Sequence, residues 1–322
     1  MGNAATASKV PMPSDDVKST SLEKKAGLPQ LTLPKTQQNT NNKDVLEEYP
    51  ELKDTLEHVK STIQTMLCNK EADVLKKNMN LSSKKSLDDL YNNYFEYDNP
   101  IHRTMIGDTL AKSGASLAFL DYLNILTSDG NDYPMEGYKY QCLEILRGVC
   151  WNYTDTSWLL CEEFGRVGIL PIMMKDLKKF QSTFKTNSKQ NFIAISAMSV
   201  LHNCARHSNN MKYYREMNAY QTVAWYAKNT DEKDALGPLS IMTLAYIVDE
   251  KNNDIIAADD TIIKTILKLL FVAAQSKERR CDGFSAEELT EGLTKLASNA
   301  DNYWPAFFNF KIFSSLKTCK YS

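Results

Sequence analysis

The chain has 322 residues, with 38 Lys and Arg against 40 Asp and Glu and a net charge of −2. That balance excludes a general nucleic-acid binder, whose surface needs an excess of cations. Twelve glycines and ten prolines among abundant Leu, Met, Lys and Glu favour helix over sheet. No run approaches the roughly eighteen consecutive apolar residues of a membrane-spanning helix. Seven cysteines without a CxxC spacing fit reduced thiols in a cytoplasmic protein better than a disulfide framework.

In chain order, the opening M-G-N-A-A-T fits the N-myristoylation pattern M-G-x-x-x-[ST], with Gly2 as acceptor once Met1 is removed and Thr6 at the hydroxyl position. One myristoyl chain gives only reversible membrane contact. Residues 1–44 supply no strong second anchor, because they carry six lysines against four acidic residues and no cysteine. Rich in Ser, Thr, Asn, Gln, Lys and Pro and without an apolar stripe, they read as a disordered leader.

From Val45 the pattern changes. Leu46, Leu52, Leu56, Val59, Ile63 and Met66 mark an amphipathic helix whose start Pro50 delays. Ser86-Leu-Asp-Asp89 resembles a capping box and is expected to open a second helix, so residues 45–99 read as N-terminal capping helices. Residues 100–302 repeat loosely. The segments 142–150, 199–205, 242–248 and 291–297 align on Leu146, Leu201, Leu244 and Leu293, which lie roughly 43–55 residues apart, near the period of helical repeats. The polar segment Gln181–Gln190 accounts for the longest interval as a loop insertion. Gly114 and Gly168 sit where helices end, Pro171 falls in a first turn, and Ser285-Ala-Glu-Glu288 is a capping box. No stretch alternates like a strand. In the tail, 303–322, Phe307, Phe310 and Phe313 recur every three residues beside Lys311, Lys317 and Lys320. A terminal capping helix, a basic aromatic helix on a membrane and a structureless end all fit it.

The densest chemistry is H-N-C-A-R-H, His202 to His207. On a helix, His202 would point roughly 160° from Cys204 and roughly 140° from His207, so the three cannot converge on one metal ion. Val200 and Leu201, one turn before Cys204, place that thiol in a core. No nucleophile elbow, phosphate-binding loop, dinucleotide fingerprint or zinc-protease motif occurs, and four scattered histidines give little acid–base material. Glu162-Glu163 and Glu287-Glu288 read as solvated faces, and Trp151, Trp158 and Trp225 as core or interface aromatics. No catalytic residue, metal or cofactor is expected.

V-L-H-N-C-A (Val200–Ala205) and G-I-L-P-I-M (Gly168–Met173) resemble the third-helix and turn signatures of the armadillo-repeat family, and the likeness spans roughly residues 100–300. The resemblance implies an all-α, right-handed solenoid of about four to five degenerate repeats, whose third helices line a concave groove for a protein or peptide ligand. Asn203 matches the family's groove asparagine. His202, Arg206, Arg147, Tyr246 and Lys295 complete the candidate partner-binding row, with Leu201 and Cys204 in the core. The sequence departs from the import receptors of this family: Gly148, Tyr246 and Lys295 stand where the asparagine would recur, and Ser199 replaces the tryptophan four residues before it. Together with Gly2, the chain resembles lipid-anchored armadillo adaptors. Gly283–Ala297 also resembles armadillo segments of longer proteins bearing a Toll/interleukin-1 receptor domain, which would make this chain the regulatory part of a nicotinamide-dinucleotide-cleaving enzyme. The leading expectation is a non-enzymatic adaptor, cytoplasmic and reversibly membrane-bound.

Overall fold

Proline opens the first long helix. In the computed structural model, which describes residues 46–97, 99–127, 135–231, 234–249 and 261–298, helix α1 (Pro50–Lys76) starts with Pro50 in its first turn, where a missing N–H costs nothing. Its residues Leu52, Val59, Ile63 and Met66 are fully buried at helical spacing. Helix α2 (Leu81–Glu96) begins earlier than expected: Asn80 is the cap, its side chain accepting the Ser83 N–H at 2.8 Å. Ser86 is instead buried inside α2, because the turn after α1 is already fixed by buried Asp73. That carboxylate accepts the Asn80 N–H at 3.2 Å and the Ser83 hydroxyl at 2.8 Å. Asn80→Ala is therefore expected to lower stability by about 1 kcal/mol, read as a drop of a few degrees in the thermal midpoint. Ser86→Ala should leave the start of α2 intact.

Short connections carry the chain onward. Asn99 caps α3 (Pro100–Lys112), and Gly114, at φ 82°, leads into α4 (Ala115–Thr127). Helix α5 (Gly137–Thr156) is followed by α6 (Trp158–Val167), capped by the Ser157 hydroxyl. Gly168, at φ 94°, closes α6 and opens α7 (Ile169–Phe180), a left-handed position that a side chain would strain. Asn187 caps α8 (Ser188–Ala205). There follow α9 (Met211–Glu216), α10 (Ala219–Asn229), α11 (Leu236–Ile247) and α12 (Thr261–Gln275). A small antiparallel hairpin then intervenes, with β1 (Arg280–Cys281) paired to β2 (Phe284–Ser285). Its loop, Asp282-Gly283, has positive φ at both residues, as a type I′ turn requires. Ser285 leaves β2 and caps α13 (Ala286–Ala297) by accepting the Glu288 N–H at 3.1 Å.

Among the described residues the fold is all-α apart from this hairpin. Helices α2, α5, α8, α11 and α13 pack side by side in that order, each against the next. The segments aligned on Leu146, Leu201, Leu244 and Leu293 fall on the last four of them, and Leu146, Leu201 and Leu244 are fully buried. Behind this row α1 packs on α3 and α4, α3 on α6, and α7 and α10 on α8 and α11 respectively.

Tyrosine hydroxyls tie neighbouring helices together. Tyr122 on α4 donates to the Met66 carbonyl of α1 at 3.1 Å, and Tyr153 on α5 to Leu90 of α2 at 3.0 Å. Tyr214 on α9 donates to Leu201 of α8. Tyr226 on α10 reaches Leu177 of α7 at 2.8 Å, and Tyr246 on α11 reaches Glu288 of α13 at 3.2 Å. Burial pushes all five phenols well above their ordinary range, so each stays a protonated donor. Among the described residues no helix is long and apolar enough to cross a membrane.

Candidate functional site

Successive helices of the row turn polar residues toward one concavity. Helix α5 presents Trp151, Asn152 and Asp155, spaced so that they share a face. Helix α8 presents Ile195, Ser199, His202 and Asn203, again along one stripe. Tyr94 of α2 and Pro238 and Leu239 of α11 continue the walls, and the hairpin closes one side with Arg280, Asp282 and Phe284. The cavity, open to solvent on one side, measures about 700 Å³, within the range of small-ligand and side-chain pockets.

One wall of the cavity holds a buried charge cluster. Glu288, only 9% exposed, accepts from His202 Nε2 at 2.8 Å and has the Arg206 guanidinium at 3.4 Å. The expectation of a solvated acidic face at Glu287-Glu288 is thus corrected for Glu288. As the third residue after its cap, it turns inward toward His202 and Arg206, partners that local sequence does not reveal. Burial opposes its ionisation most strongly. The His202 hydrogen bond, the charges of Arg206 and His202, and the Ser285 backbone amide together outweigh burial and bring the carboxyl down to about 2. The His202 ring also meets Tyr246 and Phe284 edge-on, with centroids 5.6 and 5.4 Å away. Lys295 Nζ lies 4.4 Å above the Tyr246 ring. Burial pulls the Lys295 ammonium below its usual value, opposed by Glu291.

Asp155 differs from Glu288. It is exposed on the cavity wall and makes no hydrogen bond or ion pair among the described residues. Crowding by the concave walls raises its carboxyl above the usual range, and Glu288 adds to this. Arg206, Arg280 and His202 act against it. Water reaches the group, but protein surrounds it on most sides.

Of the expected groove residues, His202 and Asn203 line the cavity, and Arg206 packs below them against the Trp158 ring. Tyr246 and Lys295 stand behind His202. Arg147 is elsewhere: fully buried, it forms an ion pair with Asp176 of α7 in the core. Its position on α5 faces α7 and not the concavity, so it is no groove cation. Asn203 does not hold its amide out for a ligand. Its Nδ2 donates to the Trp151 carbonyl at 3.3 Å and to Thr154 Oγ1 at 3.1 Å, bridging α8 to α5.

The rest of the H-N-C-A-R-H stretch diverges. Cys204 is buried beside Cys161, and burial pushes its thiol far up. His207 lies beyond the end of α8, with Nε2 3.8 Å from Glu162 and its ring beside Trp158. Ser199 donates to the Ile195 carbonyl of its own helix, so it forms no hydroxyl–imidazole pair with His202. Gly2 and the tail 303–322 lie outside the described residues.

Trp151, Asp155, Arg280 and Phe284 were not among the expected site residues. The Asp282-Gly283 doublet was the available signal for the hairpin that carries the last two. Trp151 and Asp155, at i and i+4 on one helix, carried only a generic one. In comparisons with family models, curated proteins and solved structures, none matches the chain.

Proposed function

We propose that this chain is a non-enzymatic, armadillo-type scaffold that holds a partner protein through an extended segment laid along the α5–α8–α11 face. One observation carries the reading. The cavity sits on an ordered row of helices, and its walls join the rings of Tyr94, Trp151 and Phe284 to amide and carboxylate groups. Trp151 is half-buried and Tyr94 and Phe284 are buried, and aromatics beside polar groups that fix orientation are the composition of recognition hot spots. The stacked row is also the arrangement in which degenerate helical repeats build a binding face.

Selection of displayed random twelve-residue peptides on the full chain tests it. Selected peptides are expected to lose about tenfold or more in affinity on Trp151→Ala. They should be indifferent to Leu117→Ala, at an exposed position on α4 outside the cavity. The Trp151 group that Asn203 holds is its backbone carbonyl, so the substitution spares that bridge. Peptides that bind equally to wild type and Trp151→Ala would refute the site. Arg206→Glu is unsuitable, because it would set a second carboxylate against buried Glu288 and test stability instead.

Reversible membrane attachment through acylated Gly2 is the second half of the proposal, supported by the M-G-N-A-A-T pattern. Untagged wild type is expected to divide between membrane and soluble fractions, and Gly2→Ala to be soluble. Equal partitioning of the two would remove that half.

A further inference from the structure

We propose that the cavity selects a cationic side chain, the guanidinium or ammonium group of a basic residue in the bound segment, with Asp155 as its counter-ion. The inference rests on the groove reading above and adds the chemical class of the ligand.

Charge on the walls points one way. Asp155, Asp234, Asp282 and Glu288 line the cavity, and among the described lining residues only Arg280 carries a fixed positive charge. Arg280 turns back within its own hairpin, its guanidinium donating to the Gly283 carbonyl. Arg206 and Arg280 act on Asp155 through space, but Arg206 is paired with Glu288 and neither forms an ion pair with Asp155 among the described residues. Glu288 in turn is already satisfied by His202 and Arg206. Asp234 uses one carboxylate oxygen to accept the Leu236 N–H at 3.1 Å. Asp155 and Asp282 have no such partner among the described residues.

Each ligand class meets this differently. An anion would face three carboxylates without an ion-pair partner among the described residues, and like charges juxtaposed cost several kcal/mol. An uncharged apolar group would strip water from Asp155 and return no hydrogen bond, which is unfavourable for a carboxylate. A guanidinium or ammonium group supplies the missing charge-assisted hydrogen bond. Its methylene stem can lie along Trp151, Ile195 and Phe284, as long basic side chains do on apolar walls. Aromatic faces add a cation–π attraction, stronger where water is thinned. The carboxyl of Asp155 is raised first by the crowding of the walls and then by Glu288, and a bound cation would oppose both. Asn203, pinned to α5, keeps that wall in place without competing for the ligand.

The same chemistry could come from a basic residue in a partner's segment or from a small free amine. The cavity lies on the α5–α8–α11 row that the groove reading assigns to an extended segment, so the partner segment is the source we assign. The experiment uses the full chain and peptides selected by display. Binders are expected to share a basic residue, and replacing Arg by the isosteric, uncharged citrulline should weaken them about tenfold or more. Asp155→Asn should weaken the basic peptide by a similar factor, and the two changes combined should cost no more than either alone. Asp155 has no internal partner, so the variant is expected to fold, and its thermal midpoint verifies this. Trp151-dependent binders without a basic residue would overturn the inference while leaving the groove reading standing. So would equal citrulline losses on wild type and Asp155→Asn. No Trp151-dependent binder of any kind would remove both. Spermidine that binds wild type but not Asp155→Asn, with no peptide binding, would overturn the partner-segment source in favour of a free amine.

Discussion

Arg147→Met is expected to destabilise the protein by about 3–5 kcal/mol. Arg147 is 0% exposed and Asp176 is 1% exposed, and the pair joins α5 to α7 through the centre of the helical stack. Removing the guanidinium leaves a carboxylate buried without its counter-charge. Desolvation of that orphan, more than the lost attraction, sets the cost. For a domain of this size the thermal midpoint should fall by roughly ten degrees. Asp176→Leu should cost a similar amount for the mirror reason. The double variant Arg147→Met, Asp176→Leu should recover most of the loss, because a well-packed apolar pair is often as stable as a buried ion pair. Single variants that each cost under about 1 kcal/mol would show that the pair is not a desolvated unit.

Acid titration is expected to expose the Glu288 cluster. Its carboxyl falls from the ordinary value of 4.5 to about 2 in the folded protein. A carboxyl whose folded value is depressed stabilises the fold above its unfolded value, and that stability disappears as pH falls through the folded value. The contribution should therefore be complete above about pH 4.5 and decline from there to about pH 2. Its size is on the order of 3 kcal/mol, since each pKa unit corresponds to about 1.4 kcal/mol. Glu288→Gln should flatten this part of the stability–pH curve. At neutral pH it should also cost about 2–3 kcal/mol by leaving Arg206 without its carboxylate. The measurement is chemical denaturation at a series of pH values on wild type and variant. Parallel curves through the acid range would contradict the assignment. Asp155 has the opposite sign: its folded carboxyl is raised, so ionisation at neutral pH opposes folding slightly and protonation relieves it. Water at the cavity wall screens that effect, which keeps it small.

Local signals were legible in the sequence and long-range pairings were not. Pro50, Gly168 with Pro171, and Ser285 each declare a helix boundary through their own backbone chemistry, and the boundaries fall at those residues. The leucine register placed four segments on four stacked helices because apolar spacing reports the buried face directly. Ser86 misled because a capping motif says nothing about competition from Asn80 six residues earlier, where Asp73 had already fixed the chain. Arg147 and Glu288 misled for a shared reason. A charged residue on a helix looks solvated until its partner is known, and the partners lie 29 and 86 residues away in the chain. Tyrosine was the least informative type. Sixteen are present, and nothing in the local pattern distinguishes a core ring from one whose hydroxyl reaches into the next helix.

Those tyrosine ties have a consequence for how the array comes apart. Each joins two different helices, and each ends on a main-chain carbonyl, an acceptor that side-chain substitution leaves unchanged. Opening one layer must therefore release a phenol from the backbone of its neighbour, which places a discrete step between successive layers. Amide exchange in such an array should decay in plateaus, each spanning one helix and the strip of main chain it grips. A phenylalanine at Tyr153 would merge two plateaus into one, shortening the lifetime of protected amides around Leu90 while those near Leu177 kept theirs.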